Sequence, residues 1–348
     1  MRLPTAAEII TGAGVGLLAT QAVAQDLSQA CIDQLSDAPM SIVVPNSAGG
    51  GYDTYARALA PPLAEAIGTH VRVVNMPGGG GLIASTEVAR QGDDEILMLL
   101  DNFIDIVTNT DAVSNDVTPD DFAAVALVVS EPRAWIGPPD LDLSDPELTT
   151  LIASGGTLQS SILDIGLVAR ALGLDVRVIA GYEGTSDNTA AVLRGEVDFT
   201  SQSMGSALRN LSQNGLTVAA VLDDQPAGAA PEAPLVGGDA GLVMMRAAGL
   251  SEEERQARMD AARAAISLSS TQRGLVTSAA MSADRLDCLR QAVWAALQDP
   301  AFVEATGAQG REIDPLGWED AELMLSEARD AWMAVAPEAE ALMDAIRP

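Results

Sequence analysis

Residues 40–57 have the sequence Met40-Ser-Ile-Val-Val-Pro-Asn-Ser-Ala-Gly-Gly-Gly-Tyr-Asp-Thr-Tyr-Ala-Arg57. An apolar run ends at Pro45, a loop of small residues follows, and apolar side chains then recur at helical spacing, at Tyr55, Leu59, Leu63 and Ile67. This pattern predicts a strand, a turn and a helix that begins near Asp53, which we expect to be its N-cap. Because the first N–H groups of a helix have no partner within it, the junction predicts an anion site.

A second loop of the same kind follows closely. The strand-like run Val71-Arg-Val-Val-Asn75 leads into Met76-Pro-Gly-Gly-Gly-Gly81 and then into helix-forming sequence over 82–90. Two such loops, close together in the chain, predict a pocket for a small acid.

The first 24 residues have the features of a secretory signal peptide. Arg2 supplies a positive charge, a short apolar stretch follows over 9–20, and Ala22-Val-Ala24 is a small-residue cleavage site. No other segment approaches the ~20 consecutive apolar residues of a membrane-spanning helix. We therefore expect a periplasmic or secreted protein.

The formal charge of the chain is −30, which disfavours binding to nucleic acid and to anionic lipid. All 19 basic residues are arginine, so catalytic mechanisms that need a lysine are excluded. With two cysteines and one histidine we expect no metal site, and no cofactor is predicted. We expect Cys31 and Cys288 to be bonded in an oxidising compartment; two separately buried thiols are the alternative.

Two series of alternating strand and helix patterns divide the chain. The first covers residues 25–130, and the second covers 131–221, beyond an apolar crossing segment. Residues 218–222 are predicted to form a strand that returns to the first series, and residues 223–239 a loop. From Ser251 onward the pattern is mostly helical, and we expect this tail to pack back on the first series. Alternation of this kind predicts an α/β fold with parallel sheets covered by helices.

Three motifs stand in order along the chain. They are Pro45-Asn-Ser-Ala-Gly-Gly-Gly-Tyr-Asp53 with Arg57, then Val74-Asn-Met-Pro-Gly-Gly-Gly-Gly81, then Tyr182-Glu-Gly184 with Leu193-Arg-Gly-Glu-Val-Asp198. In order and spacing they resemble the motifs of the Bug/TctC-type receptors, the periplasmic substrate-binding proteins of tripartite tricarboxylate transporters. Three departures from the family pattern stand out. Asn46 replaces a phenylalanine, Glu183 replaces a lysine, and Gly92-Asp-Asp-Glu-Ile-Leu97 stands where the family has Pro-Asp-Gly-Tyr-Thr-Leu.

The resemblance implies a type II periplasmic-binding-protein fold, with two doubly wound α/β lobes and a ligand cleft between them. Lobe 1 would comprise residues 25–130 and 222–348, and lobe 2 residues 131–221. It also implies a small organic carboxylate as ligand and integral membrane transporter subunits as partners. We expect a monomer. If Glu183 faces the cleft, a ligand that also carries a positive group becomes more plausible.

The predicted ligand-binding residues come from loops at the carboxyl ends of strands, where open α/β sheets bind ligands. They are Asn46, Ser47, Ala48, Gly49, Gly50, Tyr52 and Asp53; Gly79, Gly80 and Gly81; Asp101 and Asn102; and Thr157, Ser160, Ser161, Tyr182, Glu183 and Gly184. For each group the alternative is a structural role, as an ordinary turn or a helix cap.

Two other functions remain open. A ligand sensor for a membrane signalling partner would have the same fold. A secreted hydrolase is disfavoured, because we expect the single histidine, His70, on the surface, away from the loops, and because no Gly-x-Ser-x-Gly motif is present. We expect no catalytic residues.

Overall fold

The computed structural model describes residues 27–78, 81–90, 96–100, 117–156, 159–182, 185–226, 230–269, 271–311, 313–323 and 326. The strands are β1 (Met40–Val44), β2 (Val71–Asn75), β3 (Ile96–Leu100), β4 (Phe122–Glu131), β5 (Arg133–Gly137), β6 (Thr150–Gly156), β7 (Asp175–Tyr182), β8 (Phe199–Ser203), β9 (Thr217–Val221) and β10 (Thr271–Ser278). The helices are α1 (Gln29–Leu35), α2 (Gly51–Ile67), α3 (Leu82–Arg90), α4 (Gln159–Leu172), α5 (Thr185–Leu193), α6 (Met204–Asn214), α7 (Leu242–Arg246), α8 (Glu252–Ser269), α9 (Ala283–Leu297) and α10 (Pro300–Gly307).

The strands form two five-stranded sheets. The first has the order β2-β1-β3-β10-β4 and the second β7-β6-β8-β5-β9. In each sheet the first three strands in this order are parallel to one another, and the fourth strand is antiparallel to the strands on both sides of it. In each case this fourth strand, β10 or β5, is the one that enters from the other sheet. The two lobes therefore have the same topology.

The opening stretch forms the elements that its pattern predicts. All five residues of β1 are buried, and so are the four apolar positions of α2 that the helical spacing singles out. The predicted N-cap is wrong. Gly50 caps α2, the helix begins at Gly51, and Asp53 lies in its first turn. Gly50 has no side chain to cap the helix, and Asp53 instead accepts a hydrogen bond from the N–H of Gly49 in the loop.

The crossing from the first sheet to the second is short. Only Pro132 separates β4 from β5, and Arg133 pairs in register with Ser203 of β8. Beyond it, Trp135 is fully buried and its ring lies 4.1 Å from that of Phe199 at the centre of the second core. The rigid proline and the buried tryptophan fix the path of the chain at this junction.

The return to the first sheet comes later than predicted, so the predicted boundary at residue 222 is wrong for the segment that follows. Strand β9 does not return but forms the edge of the second sheet against β5. Helices α7 and α8 bury Leu242, Ala262 and Leu268 in the core of the second lobe. The chain rejoins the first sheet only at β10, a strand that the helical interpretation of residues 251–348 missed. The rest of the proposed division stays a prediction.

The amino-terminal and carboxyl-terminal parts of the described chain meet on the first lobe. Cys31 of α1 and Cys288 of α9 form a disulfide, with their Cα atoms 5.1 Å apart. Leu289 of α9 and Phe302 of α10 are buried in the same apolar cluster as Leu59 of α2. These two late helices therefore pack on the first lobe.

Candidate functional site

The loop over 46–50 is held in place by Asp53. The Oδ2 atom of Asp53 accepts hydrogen bonds from the N–H of Gly49 at 2.8 Å and from Nε of Arg57 at 2.9 Å. Asn75, at the end of β2, donates to the carbonyl of Asn46 at 3.1 Å. Gly49 has a φ of 85°, a conformation that favours glycine. Asp53 is thus a brace for the loop, and it already occupies the N–H of Gly49.

The environment of Asp53 is electrostatically favourable. Burial by itself would raise the pKa of its carboxyl group, but the hydrogen bonds from Arg57, Gly49 and Asn75 outweigh burial and lower that pKa below its ordinary value. The carboxylate is therefore ionised whenever the loop is folded near neutral pH.

A cluster of charged side chains lies beside this loop, where the two lobes meet. Arg273 of β10 is 2% exposed and forms an ion pair of 2.8 Å with Glu131, at the end of β4. From the second lobe, Ser203 accepts a hydrogen bond of 3.0 Å from Arg273, and the N–H of Gly205 donates to Glu131 at 2.6 Å. The pair therefore joins the two lobes.

Arg311, which follows α10, is the second buried arginine of the cluster and is 3% exposed. Its Nη1 atom donates to the hydroxyl of Ser206 in the first turn of α6, at 3.4 Å. A Cβ atom built on Gly51 would lie 3.3 Å from both Nη1 and Nη2 of Arg311, so the guanidinium rests against the first residue of α2. Burial and the neighbouring Arg209 and Arg273 lower the pKa of Arg311 to about 10.

The cluster carries an excess of positive charge. Among the described residues it holds the guanidinium groups of Arg209, Arg273 and Arg311 and one carboxylate, that of Glu131. Burial, followed by the charge of Arg273, also lowers the pKa of Arg209. Since the whole chain has a charge of −30, this concentration of arginines, of which Arg273 and Arg311 are buried, runs against its composition. Such an excess favours binding of an anion.

The N-termini of two helices, α2 and α6, lie beside these arginines. Gly51 opens α2, and Gly205 and Ser206 lie in the first turn of α6. Each terminus carries a partial positive charge and N–H groups without a partner in the helix. Together with the arginines they form a polar, positively charged junction between the lobes, which we call the arginine cluster (Glu131, Arg209, Arg273, Arg311).

Of the predicted site residues, Tyr52 belongs to this junction. The guanidinium of Arg273 lies 4.8 Å from the centre of its ring, and its hydroxyl is buried with no partner among the described residues. Gly81 has a φ of 92° and packs close to Pro45 at the start of the first loop. Tyr182 is placed differently, since its hydroxyl donates to Glu196 at 3.3 Å, beyond α5.

Several predicted site residues lie wholly or in part outside the described part of the chain. Ser160 and Ser161 lie in the first turn of α4, but their side chains are outside the described part of the chain. The others outside it are Gly79, Gly80, Asp101, Asn102, Thr157, Glu183 and Gly184. Ligand-binding roles for all of these residues, and for Asn46, Ser47, Ala48, Gly49 and Gly50, stay predictions.

The arginine cluster was not predicted. Its four members lie far apart in the chain, and only the fold brings them together. The available signal was Arg273, a charged residue directly before the apolar Gly274-Leu-Val276 run of β10. An arginine within a strand pattern indicates either an exposed edge or a buried charge with a role.

Other kinds of site find little support in the described chain. His70 is exposed, as predicted. Within the described ranges no group of three or more histidine, cysteine or acidic side chains is placed to hold a metal ion. No helix of the described residues combines the length and apolar character needed to cross a bilayer.

The sequence comparisons identify distant relatives. No protein-family model matches the chain. A UPF0065 protein of Agrobacterium vitis is 26% identical over 216 residues, which cover 59% of this chain and 62% of the relative. BugT of Bordetella pertussis is 25% identical over 234 residues, covering 62% of this chain and 69% of the relative. The matched region is thus less than two thirds of the Agrobacterium protein.

The fold comparisons cover more of the chain. A TctC solute-binding protein from Polaromonas superposes with a TM-score of 0.60 at 20% identity, over 88% of this chain and 98% of its own. MatC from Rhodopseudomonas palustris, with bound malate, superposes with a TM-score of 0.61 at 20% identity, over 89% and 99%. The resemblance to the Bug/TctC-type receptors is confirmed. The Bug/TctC-type fold, with two α/β lobes, also agrees with the two sheets described above.

Proposed function

We propose that this chain is an extracytoplasmic receptor that captures a small organic carboxylate and delivers it to a tripartite tricarboxylate-type membrane transporter. The observation that carries the proposal is the arginine cluster, in which the buried Arg273 and Arg311 and the half-buried Arg209 face one described carboxylate at the junction of two lobes, in a chain of charge −30. A carboxylate would neutralise part of this positive charge. The signal-peptide pattern over 1–24 and the similarity in fold to the periplasmic binding protein BugD support a periplasmic location.

The relatives support the same chemistry. MatC was solved with bound malate, and a second R. palustris protein with a TM-score of 0.68 was solved with adipate. Both ligands carry two carboxylates. By analogy, one carboxylate would bind near the N-termini of α2 and α6, and the predicted residues of the second lobe, Thr157, Ser160 and Ser161, would contact the other end.

Binding between the lobes would couple capture to closure. A ligand favours the closed form only by the difference between its affinities for the closed and open forms. Residues from both lobes line the arginine cluster, so a ligand there makes part of its contacts only when the lobes are together. Transporter subunits would then distinguish the loaded receptor, acting as a monomer, from the empty one.

A thermal-shift screen tests the binding claim. Acetate, succinate, malate, adipate and citrate are compared with neutral sugars of similar size. A bound acid raises the unfolding free energy by RT ln(1 + [L]/Kd), which is about 2.7 kcal/mol at a hundredfold excess over Kd. If a sugar stabilises the protein and none of the acids does, the proposal is wrong.

An uptake assay tests the delivery claim. Cells that lack this protein should lose uptake of the acid identified in the screen and regain it when the wild-type chain is supplied. Normal uptake with a lost transcriptional response to that acid would assign the chain to the sensor role instead.

A further inference from the structure

The arginines of the cluster are not equivalent. Nη2 of Arg273 is engaged by Glu131 at 2.8 Å and by Ser203 at 3.0 Å. Its Nε and Nη1 atoms are buried with no hydrogen-bond partner among the described residues, but they do not share an edge of the planar guanidinium. Arg273 is therefore compensated by a carboxylate of the protein and has no complete edge left to offer a ligand.

Arg311 presents the opposite arrangement. Its contact with Ser206 uses Nη1 and is long, at 3.4 Å. Its Nε and Nη2 atoms are buried and have no hydrogen-bond partner in the described part of the chain. These two nitrogens lie on one edge of the guanidinium and point two parallel N–H groups the same way. That edge matches the two oxygens of a carboxylate.

The surroundings of Arg311 add to this geometry. Its guanidinium rests against Gly51, the first residue of α2, and against Ser206 in the first turn of α6. An anion on the free edge would therefore lie near two helix N-termini. The nearest carboxylate of the cluster, that of Glu131, is already paired with Arg273 and with Gly205.

Arg311 lowers the stability of the ligand-free protein. Burial and two neighbouring arginines lower its pKa to about 10, so the protonated side chain is less favourable in the folded state than in the unfolded chain. A buried charge that destabilises the fold is expected where it serves a ligand, as functional sites trade stability for activity.

Building on the proposed function, we propose that Arg311 is the residue that recognises the charge of the ligand. Its Nε and Nη2 atoms would bind both oxygens of one carboxylate, between the first turns of α2 and α6. Arg273 and Glu131 would hold the two lobes in position around the ligand. Arg273 would not bind both oxygens of that carboxylate, because it has no complete guanidinium edge left.

Three variants test this by calorimetric titration with the acid that gives the largest shift in the screen. Arg311→Met keeps much of the side-chain volume but removes the charge and the two parallel N–H groups of the guanidinium. Arg311→Lys keeps the charge but lacks the two parallel N–H groups. Arg290→Met is the matched control, because Arg290 is also a largely buried arginine of the first lobe but contacts Trp318 and Ala124 outside the cluster.

We expect Arg311→Met to weaken binding about tenfold to a hundredfold, the range of a lost charge-assisted contact. Arg311→Lys should fall between it and the wild type, and Arg290→Met should bind as the wild type does. Without ligand, Arg311→Met should melt at a higher temperature than the wild type, which also shows that it folds. Inorganic phosphate is titrated in parallel and should bind more weakly than the acid.

The outcomes separate this inference from the proposed function. If the wild type binds an acid and Arg311→Met binds it equally well, Arg311 is not the recognising residue, although the receptor function stands. The same conclusion follows if Arg311→Met melts at a lower temperature with an unchanged Kd, since the role is then structural. Tighter binding of phosphate than of any acid would also overturn the assignment. If no acid binds the wild type, both proposals fail.

Discussion

The ion pair between Glu131 and Arg273 offers a stringent test of the charge balance at the lobe junction. Two single substitutions, Glu131→Gln and Arg273→Met, and their combination form a double-mutant cycle. Arg273 is 2% exposed and Glu131 is 12% exposed, so water screens their interaction poorly. The two substitutions leave different charges in the cluster, because its described residues include three arginines and one carboxylate.

Glu131→Gln removes the counter-charge and leaves three guanidinium groups together. Breaking a buried ion pair in this way costs about 3–5 kcal/mol of unfolding free energy. Arg273→Met leaves Glu131 with Arg209 and Arg311 still nearby and relieves their repulsion with Arg273. We therefore expect a smaller loss, about 1–3 kcal/mol, that of a partly compensated group. The double variant should lose less than the sum of the two by about 1 kcal/mol or more.

Equilibrium unfolding in urea, without ligand and with the disulfide intact, measures all four corners of the cycle. The decisive result is which of the two single variants loses more unfolding free energy. If Arg273→Met costs as much as Glu131→Gln or more, the junction does not carry an excess of positive charge. Strict additivity would show that the two side chains do not interact.

Three further predictions concern the frame of the site. Replacing Cys31 and Cys288 together by alanine should lower the unfolding free energy by about 2–5 kcal/mol, since the bond closes a loop spanning 257 positions; unchanged urea midpoints would contradict this. Gly51→Ala should weaken ligand binding, because its Cβ would lie 3.2 Å from a buried guanidinium, whereas Gly307→Ala, at the end of α10, meets nothing within 4 Å and should bind normally; equal affinities would refute the placement of the site. Asp53→Asn should cost about 1 kcal/mol at pH 7. Because folding lowers the pKa of Asp53, that loss should persist above its ordinary value of 3.8 and fade as the pH drops through the lower folded value; a difference independent of pH between 7 and 3 would contradict this.

The local elements of the fold were predictable because their patterns are local. The apolar run of β1 and the helical spacing of Tyr55, Leu59 and Leu63 depend only on neighbours in the chain, and the structure buries all of them. The strand β10 was missed because Arg273 and Gly274 interrupt its apolar pattern between two long helices. Its position in the first sheet is decided by pairing with β3 and β4, which no local pattern reports.

The site was predictable in part for the same reason. The loop before α2 is a local motif, and its glycines and Asp53 identify it. The cap was misplaced because Asp53 can reach the N–H of Gly49 from within the helix as well as from its start. The arginine cluster depends on contacts between residues 131, 209, 273 and 311, so only the folded chain reveals it. Likewise, the packing of α8 on the second lobe follows from its apolar face meeting α4, a long-range choice.

Capture of an organic acid is tested most directly by identifying what the protein carries when it is isolated from the cells that make it. The chain is purified from the periplasmic fraction without denaturation, its mass is measured under native conditions, and the molecule released by acid is identified by mass spectrometry. We expect one small organic acid per protein molecule, reduced in the Arg311→Met variant and retained in Arg290→Met. A neutral sugar, an amine or a metal ion in stoichiometric amount would contradict it.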